Sequence, residues 1–127
     1  MAGMSKIESY LIDLGISYQE VSPTAFFVED AAKGLPGITI TLTEPIVIVR
    51  AKVMAAPAKK RLELFEKLLG LNGSDMIHGA YGLDGGDIVL IDTLEYDMMD
   101  KSEFEAALDS IGLALSRHYG ILGAFRD

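Results

Sequence analysis

The stretch Leu68–Leu94, LLGLNGSDMIHGAYGLDGGDIVLIDTL, decides how this chain folds. It reads in order as the end of a helix, a cap, a strand, an acidic-glycine turn and a second strand. Asn72-Gly73 stops the helical pattern. Met76–Leu83 and Asp87–Leu94 are β-prone, and Asp84-Gly85-Gly86 between them tolerates positive φ, so the two runs form a hairpin. The same stretch holds no nucleophile paired with a base, no metal-ligand cluster and no phosphate loop. Its architecture is plain and its chemistry is not, which points to a binding domain rather than an enzyme.

Upstream of the hairpin, Pro57 is expected to open a helix, where its missing N–H costs nothing. Leu62, Phe65, Leu68 and Leu69 form its apolar stripe. Lys59, Lys60 and Arg61 fall in its first turn, where the helix dipole disfavours positive charge. That cluster reads either as solvated surface or as a contact for an acidic partner segment. Earlier still, Ile46–Met54 is a β-branched run expected to be buried on both faces over part of its length. Ile38–Thr43 alternates apolar residues with threonines, the pattern of a half-buried antiparallel strand. Ala25–Val28 and Ile16–Val21 are shorter β-prone runs, separated by Ser22-Pro23.

The first helix is expected over residues 5–14. Ser5 with Glu8 fits a capping box, Ile7, Tyr10, Leu11 and Leu14 recur at helical spacing, and Gly15 suits a left-handed cap. Downstream of the hairpin, Asp100 with Glu103 signals another helix start. Phe104, Leu108, Ile111 and Leu115 mark that helix, which is expected to end near Gly120 and leave a loosely held tail, 121–127. The predicted order is αβββαββα over one domain, residues 1–127. Neighbouring strands joined by short turns make an antiparallel sheet of about five strands with helices on its faces, an α+β fold.

Composition narrows the function. Eleven basic residues against nineteen acidic ones give a net charge of −8, which repels a phosphate backbone and disfavours nucleic acid as a partner. There is no cysteine, which excludes disulfides, thiolate catalysis and zinc-thiolate sites. No apolar run reaches the roughly 18 residues a membrane span needs, so membrane insertion is not expected. Residues 1–15 carry Glu8 and Asp13 and do not read as a signal peptide, which leaves the cytoplasm as the expected location.

The residues tested for chemistry give little. His78 and His118 are the only histidines, and neither sits in a triad-like pattern, so both read as structural or surface residues. Asp84–Glu95 has the twelve-residue length of a calcium loop. Gly86, Ile88 and Val89 stand where that loop needs two oxygen ligands and a glycine, so no metal site is expected. The glycines form neither a dinucleotide nor a P-loop fingerprint, and no cofactor is expected. A small-ligand or enzyme role centred on Tyr81, His78 and the hairpin acids is an alternative of another class. Met54, Met76, Met98 and Met99 read as core filler or as adaptable contact surface.

The order of elements and two short blocks resemble the type III secretion chaperone-like superfamily, which includes the CesT-type class I chaperones and the YbjN-like proteins. The blocks are Leu69-Gly70-Leu71-Asn72 and His78-Gly79-Ala80-Tyr81-Gly82-Leu83-Asp84, followed by Asp87-Ile88-Val89-Leu90 and an acid-capped last helix. The resemblance is strongest over residues 58–115, and residues 5–54 match in order of elements only. It implies a homodimer, with Leu62, Phe65 and Leu69 near the two-fold axis. It also implies capture of a client or regulatory protein segment on apolar patches, with Ile7, Tyr10, Leu11, Phe26 and Phe27 as the nearest equivalents. A YbjN-like regulatory role without a secreted client is the alternative within the same fold.

Overall fold

A computed structural model describes residues 5–76 and 78–126. Ile77, inside one predicted strand, and Asp127, at the end of the predicted tail, lie outside them. The elements are α1 (Lys6–Asp13), β1 (Tyr18–Ser22), β2 (Ala25–Asp30), a short 3-10 turn (Ala31–Lys33), β3 (Leu35–Thr43), β4 (Ile46–Ala55), α2 (Arg61–Ser74), β5 (Ala80–Asp84), β6 (Asp87–Glu95) and α3 (Lys101–Gly123). The class is α+β, as the sequence predicts, but the order is αββββαββα and the sheet has six strands. The added strand arises because Ser22-Pro23 does not merely interrupt one strand. It closes a tight hairpin, with Ser22 opposite Ala25, so the two short runs pair with each other.

All pairings are antiparallel, in the spatial order β1-β2-β3-β4-β6-β5. The chain leaves β4 through α2, drops β5 at the far edge and returns through β6 beside β4. Cross-strand partners share a face. One face carries Phe26, Val28, Ile38, Ile40, Val49, Ala51, Leu90 and Tyr81, all buried. Ile7 and Leu11 of α1, Leu64 and Leu68 of α2, and Phe104, Leu108 and Ile111 of α3 join the same core. The opposite face bears Thr39, Thr41, Ile48, Arg50 and Lys52. There Arg50 pairs with Asp84 at 2.5 Å and Lys52 with Asp87 at 3.6 Å, so β4 is buried on one face rather than on two.

Local chemistry sets the element ends. Asp100 and Glu103 form both bonds of a capping box at the start of α3. At α1 only half of the predicted box exists. Ser5 accepts from the Glu8 N–H, while the Glu8 carboxylate accepts from the Tyr18 hydroxyl at 2.7 Å. Gly15 takes the expected left-handed conformation after α1. The second helix starts at Arg61 instead of Pro57, because Lys60 turns the chain through the left-handed region (φ 59°, ψ 30°). Lys59 and Lys60 therefore precede the helix, and only Arg61 lies in its first turn.

The last helix does not stop at Gly120. Leu122 is buried, and Ile121 and Phe125 pack against the core, so residues 121–125 are held by apolar contact and are not a loose tail. Glycine can sit inside a helix at little net cost where another backbone comes close. Gly112 is such a position: a Cβ there would lie 2.5 Å from the Gly34 carbonyl oxygen. Gly112→Ala should destabilise the fold by about 1–3 kcal/mol through overpacking, read as a lower urea midpoint with an unchanged m-value. Gly120→Ala in the same helix, with nothing within 4 Å of its Cβ, should leave the midpoint unchanged or raise it.

Candidate functional site

Among the described residues, His118 is the one buried polar or charged side chain, 2% exposed. Its two ring nitrogens face different elements. Nδ1 lies 2.7 Å from the Tyr81 hydroxyl of β5, and Nε2 lies 2.5 Å from Asp75 Oδ2 at the end of α2. Arg117 donates to the other carboxylate oxygen of Asp75 at 2.8 Å. The hydrogen bond from His118, with Arg117 adding to it, holds the Asp75 carboxyl below its usual range. An ionised Asp75 can only accept, so Nε2 carries a proton, and in the neutral ring Nδ1 is then the acceptor for the Tyr81 O–H. Burial pushes the Tyr81 phenol up to about 12, which keeps its proton in place to donate.

A second tie lies next to this one. The Asn72 carboxamide accepts from the Tyr81 N–H at 2.8 Å and donates to the Tyr81 carbonyl at 3.1 Å. Both groups thus turn away from β6, as they do where an edge residue sits in a non-hydrogen-bonded pair, here opposite Leu90. The side chain of Asn72 thus occupies, at that point, the place of a further strand. Asn72 reads in sequence as a helix stop, yet it lies within α2, and its amide is spent on β5.

Beside this tie, α2 presents two apolar faces. Leu64, Leu68 and Leu71 point into the core. Leu62 and Leu69 are 71% and 70% exposed, and Phe65 between them is half-buried under the Arg61 guanidinium. Leu83 of β5 is 52% exposed. Phe65, Leu69, Tyr81 and Leu83 line an apolar groove of about 180 Å³ between helix and edge strand. The three residues implied for a two-fold contact therefore share one outward face.

The residues implied for partner binding are scattered by the fold. Ile7, Leu11 and Phe26 are buried in the core and offer no surface, because α1 lays its apolar stripe on the sheet. Tyr10 is partly buried against Phe104, with its hydroxyl on the Met99 carbonyl at 3.3 Å. Phe27 is half-buried on the opposite sheet face, its ring against Gly37. It lines a shallow groove of about 260 Å³ with Ser17, Tyr18, Gln19 and Glu29, along the second edge strand, β1. Ile12 and Val21, both exposed, were not singled out by the sequence.

The alternative site is not assembled. His78 is exposed, Tyr81 is buried on His118, and Asp84 and Asp87 pair with cations on the far face of the sheet. Among the described residues no group of three or more His, Asp or Glu side chains is arranged to hold a metal ion. None of the described helices is long and apolar enough to cross a membrane.

Comparison with known proteins adds the following. The family model CesT_Tir_1 matches residues 2–126. No curated protein matches the chain in sequence. A chain of the heterodimeric ExoU–SpcU complex from the type III secretion system of Pseudomonas aeruginosa is similar in fold, with a TM-score of 0.71 at 18% identity over 87% of this chain and 93% of that one. YbjN from E. coli gives a TM-score of 0.72 at 18% identity over 95% and 94%. A chain of the ExsC–ExsE complex gives 0.55 at 15% identity over 92% and 96%. These likenesses agree with the superfamily expected from the sequence.

His118→Ala should cost about 2–4 kcal/mol in urea unfolding, since it leaves a cavity and strands the Tyr81 hydroxyl. Asp75→Asn should also destabilise. Because the folded Asp75 carboxyl titrates below its unfolded value, the loss should be full above the ordinary carboxylate range and fade as pH falls through the lowered value. A pH series of unfolding midpoints for wild type and variant checks the sign.

Proposed function

The chain belongs to the CesT_Tir_1 family, and from that premise we propose that it is a non-enzymatic binding protein that self-associates and holds an extended segment of a partner protein. One observation carries the assignment of surfaces: the two sheet edges are unequal. At β5 the outward main-chain groups of Tyr81 are already bonded to Asn72, and α2 stands beside the strand. At β1 alternate residues of Tyr18–Ser22 turn N–H and C=O away from β2, next to the Phe27 groove. An extended segment adds to β1, where main-chain bonds supply affinity and the groove selects a side chain. Self-association uses the other end, through Leu62, Phe65 and Leu69 of α2 with Leu83. An exposed apolar stripe of this kind is the usual mark of an interface.

Two experiments test the reading. Leu62→Asp with Leu69→Asp should convert a dimer into a monomer in sedimentation equilibrium without loss of helical signal, and a wild-type monomer at high micromolar concentration overturns self-association. Extended peptides selected from a random phage-displayed library should protect β1 amides from hydrogen exchange and leave β5 amides unchanged, with no nucleotide present. Selected binders that protect β5 but not β1 would sink the assignment of the edges.

The likeness to YbjN, with a TM-score of 0.72 against 0.71 for the secretion-complex chain, supports a second reading, in which the same edge holds a regulatory partner instead of a secreted client. The identity of the protein recovered bound to β1 from native cells separates the two.

A further inference from the structure

The chain Tyr81–His118–Asp75 joins three elements through a single buried imidazole. Tyr81 belongs to β5, Asp75 caps α2 and His118 lies on α3. With neutral His118, every polar atom in the chain is satisfied: Tyr81 donates to Nδ1, and Nε2–H donates to the carboxylate. Among the described residues no buried side-chain nitrogen or oxygen lacks a partner.

Adding a proton to Nδ1 breaks that balance on one side only. The imidazolium still donates to Asp75, now as a charge-assisted bond, which is the stronger kind. On the other side Nδ1–H faces the Tyr81 O–H. The hydroxyl must turn to accept, and its own proton loses the acceptor it had in this buried site. The groups around the ring set this asymmetry. Among the described residues Asp75, at the end of α2, is the carboxylate bonded to the ring, and Arg117 of α3 is bound to it. Tyr81 of β5 stays protonated. His78 and Asp109 lie farther out, on the rim of a cavity of about 410 Å³ that Asp75 and Arg117 also line.

We propose that His118 is a proton-operated link between α3 and β5: neutral, it holds both Tyr81 and Asp75; protonated, it keeps Asp75 and releases Tyr81. The release loosens the edge strand that carries Leu83 while α2 stays anchored through Asp75. For its effect on self-association this inference rests on the α2–β5 face proposed above; for its effect on β5 it stands alone.

Hydrogen exchange of the intact chain, corrected for the intrinsic pH dependence of each amide, tests the link. On acidification the amides of Tyr81–Leu83 should lose protection about tenfold relative to those of Leu64–Leu71, the ratio expected for one buried hydrogen bond. His118→Gln can accept from Tyr81 and donate toward Asp75 without titrating, so the selective change should vanish. Tyr81→Phe should show weakened β5 protection at every pH and no further selective change, which keeps the test open if His118→Gln does not fold. Equal loss in β5 and α2, or a selective change that persists in either variant, overturns the proposal. Sedimentation of the same samples reads the consequence separately: a monomer at every pH refutes self-association, and the exchange result alone still decides the link.

Discussion

The two hydrogen bonds between the Asn72 amide and the Tyr81 main chain are the constraint on which the arrangement of surfaces depends. An edge strand exposes a row of unpaired donors and acceptors and invites any other chain to pair with it. By bonding both groups at Tyr81, the second residue of β5, α2 closes one edge of a six-stranded sheet at that point, and the other edge is β1. The polarity of the molecule follows from that closure. The closed end carries the exposed leucines Leu62, Leu69 and Leu83 beside main-chain groups already bonded at Tyr81. At the other end β1 is the edge strand, with the shallow Phe27 groove beside it.

The buried histidine network belongs to the closed end. It reinforces Asn72 from the opposite side of Tyr81, through the side chain rather than the main chain. Tyr81 is thus held by its backbone to α2 and by its hydroxyl to α3. Such redundancy is expected where a short strand of five residues must be kept against a sheet that pairs with it on one side only.

Much of this was written plainly in the chain. The Asp84–Asp87 turn, the Asp100–Glu103 box and the alternation of Ile38–Thr43 all act locally, and local signals survive folding. The first half was less legible because Tyr18–Ser22 and Ala25–Asp30 are short, and only their mutual pairing identifies them as two strands. The candidate site was legible in part. Leu62, Phe65 and Leu69 recur at helical spacing, and they lie on the outward face of α2. Ile7, Leu11 and Phe26 could not be sorted in the same way, since a core stripe and a contact stripe have the same spacing. His118 was the hardest to read: its partners stand 37 and 43 positions away, and no spacing rule reaches across such separations. A histidine among Ala114, Leu115, Ile121 and Leu122 in a core-facing helix was the one available hint.

The contact between Gly112 and the Gly34 carbonyl has a geometric consequence. His118 lies six positions beyond Gly112, about 9 Å along a helix axis. With no side chain at 112, α3 rests against the polypeptide just before β3, and that seat fixes both its height above the sheet and the depth at which the imidazole enters. The helix works as a lever with its fulcrum at a glycine: a shift of a few tenths of an ångström at the seat is carried along the rod to the bonds of 2.5 and 2.7 Å at His118. The identity of residue 112, far from either sheet edge, therefore sets the tuning of the closed one.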